Sequence, residues 1–80
     1  DLNAPSLQTL SALGEAGFRK HFSGSPIIRI GWPRFLRNIL YAIGNSRQAH
    51  LKPIAERFTN DSDAVVRDAA LWAAQRLSNV

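Results

Sequence analysis

Eighty residues make one small domain, with room for a single modest core. The chain holds no Cys, which excludes disulfides, Cys-ligated zinc, iron–sulfur clusters and a thiol nucleophile within it. Its net charge of +4 is uneven: residues 1–15 carry −2, residues 16–55 carry +7 with no acid, and residues 56–80 carry −1.

Apolar spacing is helical almost throughout, and no stretch alternates with period two. Leu7, Leu10 and Leu13 begin a first helix, with Ser6 or Asn3 as cap and Pro5 near its start. Gly14 and Gly17 interrupt that pattern, so residues 15–22 form a separate short helix that buries Phe18 and Phe22 at i, i+4. Residues 23–31, "SGSPIIRIG", are the longest non-helical connection, too apolar at Ile27, Ile28 and Ile30 to float free. A strand there has no visible pairing partner, so packing against neighbouring helices is expected.

Pro33 suits the first turn of the next helix, where a backbone N–H has no partner to lose. Phe35, Leu36, Ile39, Leu40, Ala42 and Ile43 give it a wide apolar stripe, and Gly44 and Asn45 are stop residues that tolerate a left-handed backbone. Pro53 then opens a helix running to about residue 59, which buries Leu51, Ile54, Ala55 and Phe58. "NDSD" supplies an N-cap at Asp61 or Ser62. The last helix spans about 63–77, with Val66, Ala69, Ala70, Ala73 and Leu77 inward.

"FLRNILYAIGNS" and "VVRDAALWAAQRL" match at a spacing of 30 or 31 residues, pairing Arg37 with Arg67 and Tyr41 with Trp72. With a further helix between them, that is the arithmetic of an α-solenoid such as HEAT. The expected architecture is therefore all-α, a HEAT-like α-solenoid fragment of about five helices in one domain. Residues 1–22 form N-terminal helices, 23–31 an ordered connection and 32–80 HEAT-like antiparallel layers. With no Met, even at its start, the chain reads as a piece excised from a larger protein.

Catalytic motifs are missing: there is no GxSxG, P-loop, GxGxxG or HExxH. His21 and His50 stand alone, without clustered carboxylates at ligand spacing. No active site, metal site or cofactor site is expected in these residues. No apolar run approaches the roughly 20 residues that span a membrane, nothing resembles a signal peptide, and the absence of Cys fits the cytoplasm.

The cationic block is the surviving signal. It suits an anionic partner such as nucleic acid, or else a solvated basic face. Arg34 and Arg37 lie three apart on one helix face, and Arg29 approaches that helix start, where free N–H groups also favour anions. Arg19, Lys20, Arg47 and Lys52 support this trio as candidate nucleic-acid-binding residues. The alternative for Arg37 is to brace the loop by bonding its carbonyls. Trp32 could stack a base, although at a helix entry it reads first as a packing residue. Tyr41 and Trp72 are expected as core or inter-repeat contacts.

Three segments together carry a family resemblance: "FxGSPIxRxG" at 22–31, "LRNxxxAxGNS" at 36–46, and "DxDxxVRxxAxWA" at 61–73. They resemble the C-terminal region of bacterial tRNA epoxyqueuosine reductase, from about Phe18 onward. The resemblance implies an oxidoreductase parent that carries two four-iron, four-sulfur clusters and cobalamin and converts epoxyqueuosine to queuosine in tRNA. The cluster cysteines and cobalamin site of that family lie upstream of the matching region. What it implies for this chain is an accessory helical domain that helps cradle tRNA and adjoins an upstream catalytic domain. A structural cap of that catalytic domain and a HEAT-like protein-interaction module are the competing roles.

Overall fold

A computed structural model describes residues 6–80, so the alternative cap Asn3 and the early Pro5 lie outside the described residues. Five α-helices follow one another: α1 (Leu7–Ser11), α2 (Gly14–His21), α3 (Trp32–Asn45), α4 (Lys52–Glu56) and α5 (Ala64–Leu77). Two 3-10 segments, Pro26–Ile30 and Ala49–Leu51, complete the regular structure, and no strand forms among the described residues. The chain is all-α.

Local chemistry accounts for the boundaries. Ser6 caps α1, its hydroxyl accepting from the Thr9 N–H at 3.1 Å. The break before α2 falls at Gly14, whose φ of +68° suits glycine. Gly17, by contrast, continues inside α2. Phe18 is fully buried, and its ring lies 5.4 Å from Phe22, 6.0 Å from Trp32 and 4.9 Å from Phe35. This aromatic cluster fastens α2 to the first turn of α3. Trp32 is therefore a packing residue.

The 23–31 connection is ordered but not irregular. Ser25 caps a 3-10 segment, its hydroxyl accepting from the Ile27 N–H at 3.3 Å, and Pro26 occupies the first turn. With three residues per turn, Ile27 and Ile30 share one side and Ile28 another. Only Ile28 packs on the core, whereas Ile27 and Ile30 remain 36% and 38% exposed. The expected packing against neighbouring helices is thus made by Ile28, and the segment read as non-helical holds a 3-10 helix.

Helix α3 buries Phe35, Leu36, Ile39, Leu40 and Ile43, the centre of the domain. Ala42 is exposed, against expectation, because the buried arc turns the other way to include Gly44. Gly44 is not a left-handed stop: the helix runs through it to Asn45, and the left-handed residue is Arg47, with φ 59°. Gly44 is needed instead for proximity, since a Cβ there would lie 2.5 Å from Trp72 Cζ3 and 3.1 Å from Ala73 Cα.

Helix α5 presses Val66, Ala69, Ala70, Ala73 and Leu77 into the core, all buried as expected. Small alanines let α3 and α5 approach closely, which makes this pair the spine of the fold. The cap of α5 is Asp63, not Asp61 or Ser62: its carboxylate accepts from Val65 N–H at 2.9 Å and Val66 N–H at 3.2 Å. Asp61 instead accepts from the Asp63 N–H at 2.9 Å, and its carbonyl accepts from Arg67 Nη1 at 3.1 Å. Leu51, Ile54 and Ala55 are buried and Phe58 partly so, but α4 stops at Glu56 rather than about residue 59. There the Thr59 hydroxyl donates to the Glu56 carbonyl at 2.9 Å, closing a turn in place of a further helical bond.

Candidate nucleic-acid interface

Burying Leu36, Ile39, Leu40 and Ile43 leaves α3 with one polar face. Arg34, Asn38, Tyr41 and Asn45 are exposed along it, with Arg37 half-buried at its margin. Arg29 is exposed at the end of the preceding 3-10 segment, two residues before Gly31 turns the chain into α3. The N-cap is glycine and the first turn holds no acid, so no side chain of α3 itself compensates the positive end of its dipole. Arg29, Arg34 and Arg37 thus gather around the first half of α3.

Arg37 does not brace the loop. Its Nε and Nη2 donate to Asn38 Oδ1 at 3.4 and 3.3 Å, long bonds that hold the guanidinium on the helix surface. Its counterpart in the internal register, Arg67, makes the bracing contact, to the carbonyl of Asp61 in the turn before α5.

The supporting cations separate. Arg19 and Lys20 lie on the last turn of α2, and a cavity of about 400 Å³ lined by Arg19, Phe18, Ile28 and Gly31 to Pro33 sets Arg19 beside the start of α3. Glu15 lines the same cavity and accepts from Arg19 at 2.9 Å, the single ion pair among the described residues. Arg19 is therefore partly compensated, a consequence of the i, i+4 spacing across the edge of the acid-free block. Lys52 is half-buried at the start of α4. Arg47 lies beyond the other end of α3, roughly 20 Å from Arg34 along the helix at 1.5 Å per residue.

Arg76 was not legible as a site residue, because Glu56, Asp61, Asp63 and Asp68 dilute the charge of its segment. Its guanidinium lies 5.0 Å from the centre of the Trp72 ring, and its Nε donates to the Gly44 carbonyl at 3.4 Å. Trp72 in turn meets Tyr41 edge-on at 5.2 Å, so the two residues paired by the internal register touch. The signal for Arg76 was its i, i+4 spacing from Trp72 on one helix.

This arrangement can hold anions. The sequence holds no Cys, and among the described residues no group of three His, Cys, Asp or Glu is placed to hold a metal ion. His21 and His50 are both exposed, on separate elements. No described helix is long and apolar enough to cross a membrane.

The chain is 38% identical over 80 residues to the epoxyqueuosine reductase of Alicycliphilus denitrificans, covering 90% of this chain and 22% of that protein. It is 38% identical over 74 residues to the epoxyqueuosine reductase of Xanthomonas campestris pv. campestris, covering 91% and 21%. For the Shewanella oneidensis epoxyqueuosine reductase, identity is 37% over 75 residues, covering 90% and 19%. The chain spans about a fifth of the length of these curated relatives. The resemblance drawn from the Arg-Gly connection and the RN helix is to these same enzymes. No family model matches the chain, and no solved structure does.

Proposed function

We propose that this chain is an accessory helical domain of an epoxyqueuosine reductase, a cytoplasmic oxidoreductase of queuosine biosynthesis, and that it contributes tRNA binding. In this reading the iron–sulfur and cobalamin chemistry resides in the rest of the parent. The domain holds tRNA by phosphates, through Arg29, Arg34 and Arg37. Arg47, Lys20 and Lys52 add positive field, and Arg19 adds less because Glu15 screens it. The internal register, with Tyr41 against Trp72, supports reading 32–80 as a HEAT-like pair of units.

One observation carries the proposal. Arg29 precedes, and Arg34 and Arg37 lie on, the first half of a helix whose own N-cap and first turn carry no acid, the nearby Glu15 is engaged by Arg19, and no carboxylate among the described residues pairs with the three. Such a surface gives affinity that falls steeply with salt and depends little on sequence. The test is a titration of the isotope-labelled chain with tRNA at two salt concentrations. Shifts at residues 29–37, weakened by Arg34→Glu without loss of fold, are expected.

A second reading rests on a different observation. Ile27 and Ile30 are exposed on either side of Arg29, an apolar edge suited to packing against the remaining four-fifths of the parent. If residues 29–37 stay unmoved by tRNA even at low salt, that face meets protein, and the domain is a structural cap.

A further inference from the structure

The C-terminal ends of α3 and α5 enclose an open cleft of about 550 Å³, lined by Gly44, Arg47, Arg76, Asn79 and Val80. Two guanidinium groups thus border one cavity, and no carboxylate side chain lines it. In water their mutual repulsion is modest, but a shared counter-anion removes it and gains charge-assisted hydrogen bonds.

Each arginine is placed by a specific device. Arg76 lies over the Trp72 ring and donates its Nε–H to the Gly44 carbonyl in a long bond of 3.4 Å, contacts that restrict its guanidinium while both Nη groups make no hydrogen bond among the described residues. Fixing the fork before binding lowers the ordering cost of gripping an oxyanion. Arg47 sits at the left-handed position just past α3, where glycine or asparagine is usual. A side-chain-bearing residue held there at a conformational cost is a reason to ask what its side chain does. The Asn79 amide donates to the Gln75 carbonyl at 3.3 Å, which leaves its second N–H for a ligand.

Next to the cleft stands an aromatic surface. Tyr41 is 42% exposed and braced edge-on by Trp72, one turn from Gly44 on the same edge of α3. That edge also carries Arg37, so cation, exposed ring and double-arginine cleft follow in one line. Alternating phosphate grips and aromatic faces is the pattern that holds single-stranded nucleic acid.

We infer that the α3–α5 cleft is a phosphate subsite for a single-stranded nucleic-acid segment: Arg47 and Arg76 grip one phosphodiester, and an adjoining unpaired base stacks on Tyr41. This deepens the nucleic-acid reading above, but it concerns the opposite end of α3 and residues outside the Arg29–Arg34–Arg37 group. It assigns a role to Arg76 and Tyr41, which that group does not need.

The test uses the 80-residue chain, amidated at Val80 so that no terminal carboxylate stands in the cleft, and a short single-stranded RNA oligonucleotide of mixed sequence, with inorganic phosphate and a poly-glutamate peptide as competing probes. Oligonucleotide binding should shift the Trp72 indole N–H, the Gly44 amide and the Arg76 Nε–H resonances. Arg47→Gln and Arg76→Gln should each weaken binding about tenfold at low salt and reduce the salt slope by about one. Tyr41→Leu should weaken oligonucleotide binding five- to tenfold while leaving the salt slope unchanged. Oligonucleotide shifts confined to residues 29–37, with Arg47→Gln and Arg76→Gln binding normally, overturn the subsite and leave the first face standing. Shifts at Gly44, Trp72 and Arg76 that survive Arg34→Glu unchanged support the subsite as one separate from that first face. Saturation by inorganic phosphate at millimolar concentration with no effect of Tyr41→Leu overturns the nucleic-acid assignment in favour of a free-anion site. Competition by poly-glutamate equal to that of RNA overturns it in favour of an acidic protein segment.

Discussion

Gly44→Ala tests the α3–α5 crossing directly. In an ordinary helix interior, exchanging glycine for alanine gains about 1 kcal/mol of helix propensity. Here the added methyl would lie 2.5 Å from Trp72 Cζ3, 3.0 Å from Trp72 Cε3 and 3.1 Å from Ala73 Cα. The indole can swing outward, because Trp72 is only half-buried, but doing so breaks its contacts with Tyr41 and Arg76. The Ala73 Cα belongs to the backbone and yields only if α5 moves, which loosens the Ile43, Ala69, Ala70 and Ala73 layer. Overpacking of this kind costs about 1–3 kcal/mol. Against the propensity gain, the expected net loss is about 0–2 kcal/mol, centred near 1 kcal/mol, which at that centre is a fall in Tm of roughly 4–8 °C for a domain of this size. Urea denaturation monitored by circular dichroism should show a lower midpoint with an unchanged slope. In a Trp72→Leu background the penalty should shrink, since the two side chains meet. A Gly44→Ala chain more stable than the parent would refute the reasoning.

Arg47→Gly should stabilise the fold by about 0.5–1 kcal/mol in the same urea assay, because it relieves a left-handed side-chain conformation at the end of α3; a loss of stability would show that Arg47 makes contacts worth more than its strain. Asp63→Ala should cost about 1–2 kcal/mol, since it strips the acceptor from both the Val65 and Val66 N–H groups, and Ser62→Ala should change stability by less than about 0.5 kcal/mol. Glu15→Gln should alter stability by under about 1 kcal/mol, because the pair with Arg19 is solvent-exposed, yet it should tighten tRNA binding at low salt by releasing Arg19; unchanged affinity would remove Arg19 from the interface.

Periodicity made the inward set of α5 and, apart from Ala42 and Gly44, that of α3 legible, because a 3.6-residue repeat of apolar side chains gathers them on one stripe. Phe18, Leu36, Leu40, Ile43 and Val66 were all readable in this way, and each is almost fully buried. Boundaries were less so. Asp61, Ser62 and Asp63 are all competent caps, and the choice among them depends on which carboxylate the turn aims at the free N–H groups of α5. The resemblance to epoxyqueuosine reductases was likewise legible, since it rests on residue identities rather than geometry.

By itself, the sequence determined an all-α chain without thiol chemistry, with its positive charge concentrated in residues 16–55 and its core helices named residue by residue. Those properties follow from composition and local periodicity, which need no partner across the fold. The tertiary structure alone decided where Gly44 and Arg76 lie relative to the rest of the chain. Gly44 reads as a stop residue locally, but it is a crossing point because α5 lies against it. Arg76 reads as one charge in an acidic segment, but packing sets it on Trp72, on the Gly44 carbonyl and across a cleft from Arg47. Charge counts follow the chain, whereas the contacts of Arg76 with Gly44 and of Trp72 with Tyr41 join residues some 30 positions apart, and only helix–helix packing brings those together.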